Sequence, residues 1–380
     1  MEPGRAGGIE QAVVELLSAI SRLDVENSYR ILAPRKAFNA WRFPHDFKVN
    51  FVYSDPDEVE GGRFHRFVES QRPQVSADGS SMEIGTSVVT NSSGLDFDLV
   101  HSVSGYIHPE LIDFPSVLTM NDLQHLHHPE FFSIADWKDR EGLYRKSASA
   151  AHHIICISEF TRQDLHCQYG VPLEKMTTIW PIPGQAAWAV QSSDEGSALL
   201  AFMGVESPFL LFPAHCWPHK NHARLVEAFG DVAPDMPEDM RLVFTGCPFP
   251  SNHPAASLIG RMGLKSRVIH VGYRRPEEMR ALLRGCLAVV FPSLFEGFGL
   301  PVAEALVAGK PVTCSDVSAL PEVGGDAVLM FDPLNIEDIG AKLLQVATQP
   351  SMRESLSRAA LRRRFLFSPR RSALKTLAVY

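Results

Sequence analysis

FPSLFEGFGLPVAEA, residues 291–305, is the stretch from which the fold is read. The run Leu287–Pro292 has the composition of a buried strand, and Pro301–Gly309 that of a helix with proline at its first turn. Between them lies Glu296-Gly297-Phe298-Gly299-Leu300. The two glycines let the backbone come close to a ligand. The following helix turns its free N–H groups and positive dipole end into this loop, which makes an anion site. In an open α/β sheet, ligands bind in the crevice at strand C-termini. Glu296 sits in the loop and Glu304 one helical turn inside. Carboxylates there do not bind phosphate. They suit hydroxyl groups, those of a sugar for Glu296 and of a ribose for Glu304. The bland alternative is a strand–turn–helix with two solvated glutamates. A lone Gly-x-Gly favours that alternative, whereas the whole string is far more specific.

Working outward, short apolar runs alternate with helical patterns along most of the chain. They are Tyr29–Ala33, Leu99–Ser102, Ser116–Met120, Ile154–Ile157, Phe209–Pro213, Leu242–Thr245, Arg267–Val271, Ala288–Pro292 and Pro311–Cys314. Runs of this length ended by Gly, Pro, Ser, Asn or Asp read as parallel strands buried on both faces, so the class is α/β with open parallel sheets. The polar stretch QSSDEGS within residues 185–207 has neither strand nor helix period and reads as a linker. It separates a first domain, 1–184, from a second, 208–365. A final helical segment, 366–380, places Ala373, Leu374, Leu377 and Ala378 on one face. At the N-terminus, Pro3-Gly4-Arg5-Ala6-Gly7-Gly8 leads straight into a helical face of Ile9, Val13, Leu16, Leu17 and Ile20. The strand that usually precedes such a turn is missing, so the chain is either shortened or builds its first domain without it.

The 380 residues suit two domains, and 45% hydrophobic with 21% charged content fits a globular protein. No apolar run approaches the ~20 residues of a membrane helix, and no signal pattern opens the chain. The six cysteines are scattered without a C-x-x-C pair, as expected of reduced thiols in a cytoplasmic protein. A net charge of −8 argues against nucleic-acid binding. Arg353 to Lys375 nevertheless holds eight Lys/Arg and one Glu. That segment is either a solvated face pairing with the acidic body or a peripheral contact to anionic lipid at the inner membrane face.

The string EGFGLPVAEA carries an E-x7-E pattern, Glu296 to Glu304. With GKPVTCSDVSALPEVGGDAVLMFDP (309–333) and LLFPAHCWPHKNHARLVEAF (210–229), it resembles glycosyltransferase family 4, the retaining two-domain enzymes that include bacterial mannosyltransferases and sucrose synthases. In the first half, DLVHS (98–102), VLTMNDLQHLHHPEFF (117–132) and IICISEFTRQDLHCQYGVP (154–172) are similar to segments of the same family, and FSPRRSALKTLAVY to its closing helix. The resemblance covers the chain patchwise from about residue 95, and before that only the Gly7-Gly8 turn.

The resemblance implies a GT-B architecture: two Rossmann-like domains facing across a cleft, with the last helix crossing back to the first. The donor nucleotide-sugar would sit on the second domain and a glycan or lipid-linked acceptor on the first. Glu304 would hold the ribose, Glu296 the transferred sugar, and the backbone of Gly297, Phe298, Gly299 and Leu300 the sugar or diphosphate. Lys220 matches the diphosphate lysine, a role that suits the charge growing on a departing nucleoside diphosphate. The bland alternative is a surface lysine at a helix start, a poor place for a cation unless an anion is present. The arginine usual before it is absent from Ala214-His215-Cys216-Trp217-Pro218. Asn121-Asp122 stands where many members have His-Asp. Asn121 cannot move a proton but can donate a hydrogen bond to a sugar hydroxyl or an oxyanion. Gly246 and Tyr273, at two strand ends, are candidates for the base pocket, and Gly8 for the donor side of the N-terminal turn.

No cofactor and no metal are expected, since helix ends and basic groups neutralise the diphosphate in this fold. His125, His127 and His128, the pair His152-His153, and Asp96-Phe97-Asp98 invite a metal reading. Their spacing fits packing, acceptor contact or a strand-entry turn better. The function expected is retaining transfer of a hexose from a nucleoside-diphosphate sugar to an acceptor hydroxyl. The alternative is a degenerate, non-catalytic nucleotide- or glycan-binding member acting as a partner subunit. An epimerase on the same fold has no motif in support.

Overall fold

The computed structural model describes residues 8–24, 26–34, 49–54, 67–70, 86–89, 98–184, 187, 193–205, 208–250 and 252–380. In the first half, strands β1 (Tyr29–Pro34), β2 (Val49–Ser54), β3 (Phe67–Ser70) and β4 (Thr86–Val89) form one sheet in that order. The pair β1·β2 is parallel, but β2·β3 and β3·β4 are antiparallel, which departs from the all-parallel expectation. A second sheet, β5 (Val100–Ser102), β6 (Ser116–Met120), β7 (His153–Cys156) and β8 (Met176–Thr178), is parallel throughout.

The second half forms one six-stranded parallel sheet of β9 (Phe209–Phe212), β10 (Arg241–Phe244), β11 (Val268–His270), β12 (Ala288–Phe291), β13 (Val312–Ser315) and β14 (Leu329–Phe331). Its order is β11-β10-β9-β12-β13-β14. Every residue of β9, β12 and β13 is buried, as strands covered on both faces must be. Phe209, Phe212, Phe229, Phe244, Phe291 and Phe331 fill the core without exposure beyond 1%. The order of the first strand, β9, and the fourth, β12, as neighbours is the doubly wound pattern, and their parting ends form its switch point.

Two expectations are corrected here. The stretch read as a structureless linker contains the helix Ser193–Phe202, which packs on the helix Pro276–Gly285 of the second domain. Its composition is polar at the start but ALLAF at the end, and Leu200, which lies against Gly285, marks the packed face. The closing helix runs from Pro369 to Val379 and does cross back, packing on the helix Gly8–Ile20. Ala373 meets Ala19, Ile20 and Ile182, while Leu374, expected on the buried face, is 43% exposed. Ser372 and Thr376 take the buried positions instead, Ser372 Oγ donating to the Trp180 carbonyl. In the basic segment, Arg353 donates to the carbonyls of Val346 and Ala347 at a helix end, and Arg363 to those of Glu322 and Val323. These two arginines brace backbone and do not face solvent as a charged stripe. No described helix is long and apolar enough to cross a membrane.

Candidate active site

The switch point brings two loops together. One leaves β9 and carries Lys220, and the other leaves β12 and carries Glu296. Asn221 fastens the first loop: it adopts a left-handed φ of 62°, and its amide donates to the carbonyls of Pro292 and Pro333. Lys220 Nζ then lies 2.5 Å from Glu296 Oε1 and 5.0 Å above the Phe291 ring. Both side chains are largely buried, at 14% and 12% exposure. Burial alone would raise the Glu296 pKa, but the Lys220 ammonium reverses this and holds the carboxyl below its usual value. His219, beside them, is pushed down to about 4 by burial and then by Lys220, so it is neutral at pH 7. The site therefore holds one buried cation paired to one buried carboxylate, and an arriving diphosphate offers that cation a second anion.

The glycine loop behaves as its composition suggests. Gly299 has φ 93° and starts the helix Leu300–Val307, so its role requires glycine. A Cβ on Gly297 would lie 2.0 Å from the Asn121 carbonyl oxygen, which shows how closely the first domain approaches. Ser318 accepts the Glu296 N–H at 2.9 Å, a partner hidden in the sequence within an unremarkable turn.

Glu304 is placed less simply. Its Oε1 accepts the Gly184 N–H at 3.2 Å, from the end of the first domain. Burial raises its pKa to about 7, with the Gly184 N–H opposing and the negative charge of Glu15 adding to the rise. Glu15, only 7% exposed on the helix Gly8–Ile20, went unnoticed in the sequence because the apolar period hides a buried glutamate. Gly8 stands at the start of that helix, where a Cβ would lie 2.8 Å from Leu300 Cδ1.

Asn121 and Asp122 follow β6 on the opposite wall. The Asn121 amide donates to the Val103 carbonyl at 3.2 Å, and Asp122 Oδ1 accepts the Gln124 N–H. Burial raises the Asp122 pKa against the pull of that N–H and of Arg140, and the Glu296 charge acts in the same sense as burial. Gly246, with φ 89°, donates its N–H to Gly272, and a Cβ on it would lie 2.5 Å from the Ala214 carbonyl oxygen. Tyr273, 66% exposed, stacks on His215 at 6.5 Å, so three second-domain strand ends are knitted into one rim.

The three histidines after Asp122 have protein partners. His125 pairs with Glu141 and His127 with Asp164, and His128 with Glu130. His127 and His128 also pack on Phe295 of the β12 loop. Among the described residues no group of three or more His, Cys, Asp or Glu is placed to hold a metal. Asp96 and Phe97 lie outside the described residues.

Residues 6–181 match the model of Glycosyltransferase Family 4, and residues 203–363 that of Glycosyl transferases group 1. The chain is 26% identical over 266 residues to an O-antigen chain mannosyltransferase B of Escherichia coli, covering 70% of each. It is 27% identical over 244 residues to the serotype-specific mannosyltransferase WbdA of Escherichia coli, covering 63% of this chain but 29% of that protein. A crystal structure of Anabaena HepE, in complex with UDP and glucose, superposes with TM-score 0.69 at 17% identity over 100% of this chain and 98% of that one, which shows a shared fold. With the Lys220–Glu296 pair at the switch point of its second Rossmann-like domain, the chain belongs to the GT-B glycosyltransferases of family 4, its two halves matching the family's two domain models.

Proposed function

We propose that the protein is a retaining hexosyltransferase that moves a hexose from a nucleoside-diphosphate sugar to a hydroxyl of a glycan or lipid-linked glycan. The observation that carries this is the buried Lys220–Glu296 pair at 2.5 Å, set between a glycine loop and a helix N-terminus. On this reading Lys220 and the N–H groups after Gly299 stabilise the charge that the leaving diphosphate gains as the bond from C1 to its oxygen breaks. The acceptor oxygen bonds to C1 on the same face, and its proton passes to the departing phosphate oxygen. Glu296 orients the sugar hydroxyls. Glu304 accepts from the ribose, and Gly246 and Tyr273 flank the base. Neither Asn121, whose amide is engaged by Val103, nor any metal is assigned a proton-transfer step. The names of the relatives put mannose first among donor sugars.

The engagement of Asn121 also favours a second reading, a partner subunit that binds nucleotide without turnover. A panel of nucleotide sugars separates the two. Release of nucleoside diphosphate with one donor supports transfer, and retained nucleotide binding with no release from any donor selects the second reading. Glu296→Ala should lose transfer and keep nucleotide affinity, whereas Glu304→Ala should weaken the nucleotide itself. We propose that the expected peripheral membrane contact is made at Phe365, 75% exposed, which follows Arg362 and Arg364 in the chain with Leu361 close by. Cosedimentation with anionic but not neutral vesicles, lost on reversing both arginines to glutamate, is the supporting result.

A further inference from the structure

Resting on that reading of the cleft, we propose that Glu322 is a positioning residue for the transfer. It seats the first domain's helix Glu159–Tyr169 so that Thr161 registers Asn121 against the Gly297 loop. Glu322 belongs to the second domain, on the helix Leu320–Gly324. Its Oε1 accepts the Glu159 N–H at 2.9 Å and the Trp180 indole N–H at 2.8 Å, and its Oε2 accepts the Phe160 N–H at 3.0 Å. Glu159 and Phe160 are the first two residues of their helix, after the cap Ser158. Free N–H groups and the positive dipole end attract a carboxylate at that point. Here the carboxylate comes from the other domain, 162 and 163 residues away in sequence.

The contact is braced from behind. Arg363 Nη2 donates to the Glu322 carbonyl at 2.6 Å and Nε to the Val323 carbonyl at 2.7 Å. Trp180 stacks on Phe367 at 5.4 Å and meets the edge of Phe298, in the glycine loop, at 5.6 Å. A glutamate that merely capped a helix would need neither.

Both ends of this chain of contacts arrive at the reaction point. Thr161 follows the two amides directly. Its N–H donates to Ser158 Oγ at 3.0 Å, and its own Oγ1 accepts from Ser158 Oγ at 2.9 Å. Its hydroxyl hydrogen is shared by the carbonyls of Asn121 and Gly297, each 3.3 Å away and one from each domain. On the second-domain side, Ser318 accepts the Glu296 N–H, and the Ala319 N–H reaches the Glu296 carbonyl at 3.4 Å. The segment 318–322 therefore holds the sugar-facing carboxylate loop at one end and the first-domain helix at the other. A shift of this helix moves Thr161, and with it the distance between the acceptor wall and the donor loop.

Glu322→Gln tests this in the full-length protein. The amide replaces one acceptor oxygen with a donor that meets an N–H head on. Thr161→Val removes the bridging hydroxyl at constant size without touching Glu322. With the donor found active in the panel, each variant should lower kcat by about 100-fold, the cost of roughly 1 Å of misplacement. The donor KM should stay within about threefold, because the nucleotide contacts are untouched. The double variant should lose no more than the worse single one, and amide hydrogen exchange at Glu159 and Phe160 should quicken in Glu322→Gln. Losses that multiply in the double variant, or exposed amides with undiminished kcat, overturn the proposal. Should the parent release no diphosphate from any donor, the functional reading fails by itself. The exchange experiment still decides the contact, and unaltered exchange in Glu322→Gln then overturns it.

Discussion

Glu304→Gln should make the protein more stable while impairing its nucleotide site. The magnitude follows from where the carboxylate sits. Burial, aided by the charge of Glu15 and opposed by the Gly184 N–H, raises its pKa from the ordinary 4.5 to about 7. A carboxyl raised in the folded state binds more protons there than in the unfolded chain. It therefore costs no stability below about pH 4.5, and a growing amount as pH rises through 7. A shift of that size corresponds to about 3 kcal/mol at pH 8, an upper bound because local rearrangement relieves part of it. Glutamine keeps an oxygen for the Gly184 N–H, loses the charge, and matches the volume. The variant should thus gain up to about 3 kcal/mol at pH 8, a rise in Tm of roughly 5 °C, and less than about 1 kcal/mol at pH 5. Thermal unfolding of both proteins from pH 5 to 8 measures the difference, and calorimetric titration with nucleoside diphosphate should show about tenfold weaker binding from the lost charge-assisted hydrogen bonds. A stability difference that does not change with pH, or a variant less stable than the parent at pH 8, refutes the reasoning.

Three other perturbations follow from the same geometry. Gly297→Ala places a Cβ 2.0 Å from the Asn121 carbonyl oxygen, so kcat should fall by about 100-fold with nucleotide affinity kept, as steady-state kinetics and titration will show. Lys220→Met should cut diphosphate release by about 100-fold or more. It also removes the cation that offsets the burial of Glu296, so the acid limb of the pH–rate profile should move to higher pH. His222 is 2% exposed, neither ring nitrogen has a hydrogen-bond partner among the described residues, and it packs on Phe212 and Phe249, with its pKa driven to about 3 by burial and then by neighbouring histidines. A histidine depressed in this way costs stability as pH falls below 6.5, about 2 kcal/mol by pH 5, so His222→Phe should flatten the acid side of the stability profile in urea titrations.

Five of the six strands of the second domain were legible because each coincides with a short, largely apolar run ended by a turn residue, and β9, β12 and β13 are buried at every position; β14 (Leu329–Phe331) was not among the runs read. In the first half, the runs Val49–Ser54, Phe67–Ser70 and Thr86–Val89 carried no such clear signal, and two of the resulting pairings are antiparallel. The helix Ser193–Phe202 was lost for a related reason, since its opening residues are polar and its apolar face is short.

The sequence by itself determined the chemistry of the donor loop. Strand, glycine turn, glutamate and helix N-terminus are neighbours in the chain, so local stereochemistry brings Glu296, Gly299 and Leu300 together wherever the loop folds. Only the tertiary structure decided what meets that loop. Lys220 and Glu296 are 76 residues apart, Gly184 and Glu304 are 120 apart, and Glu322 reaches an amide 163 residues before it. Contacts of that range depend on which strands adjoin at the switch point and how the last helix returns to the first domain. The Lys220 ammonium that keeps Glu296 ionised against its burial, and the burial that lifts Glu304 to about 7, act only after those surfaces close.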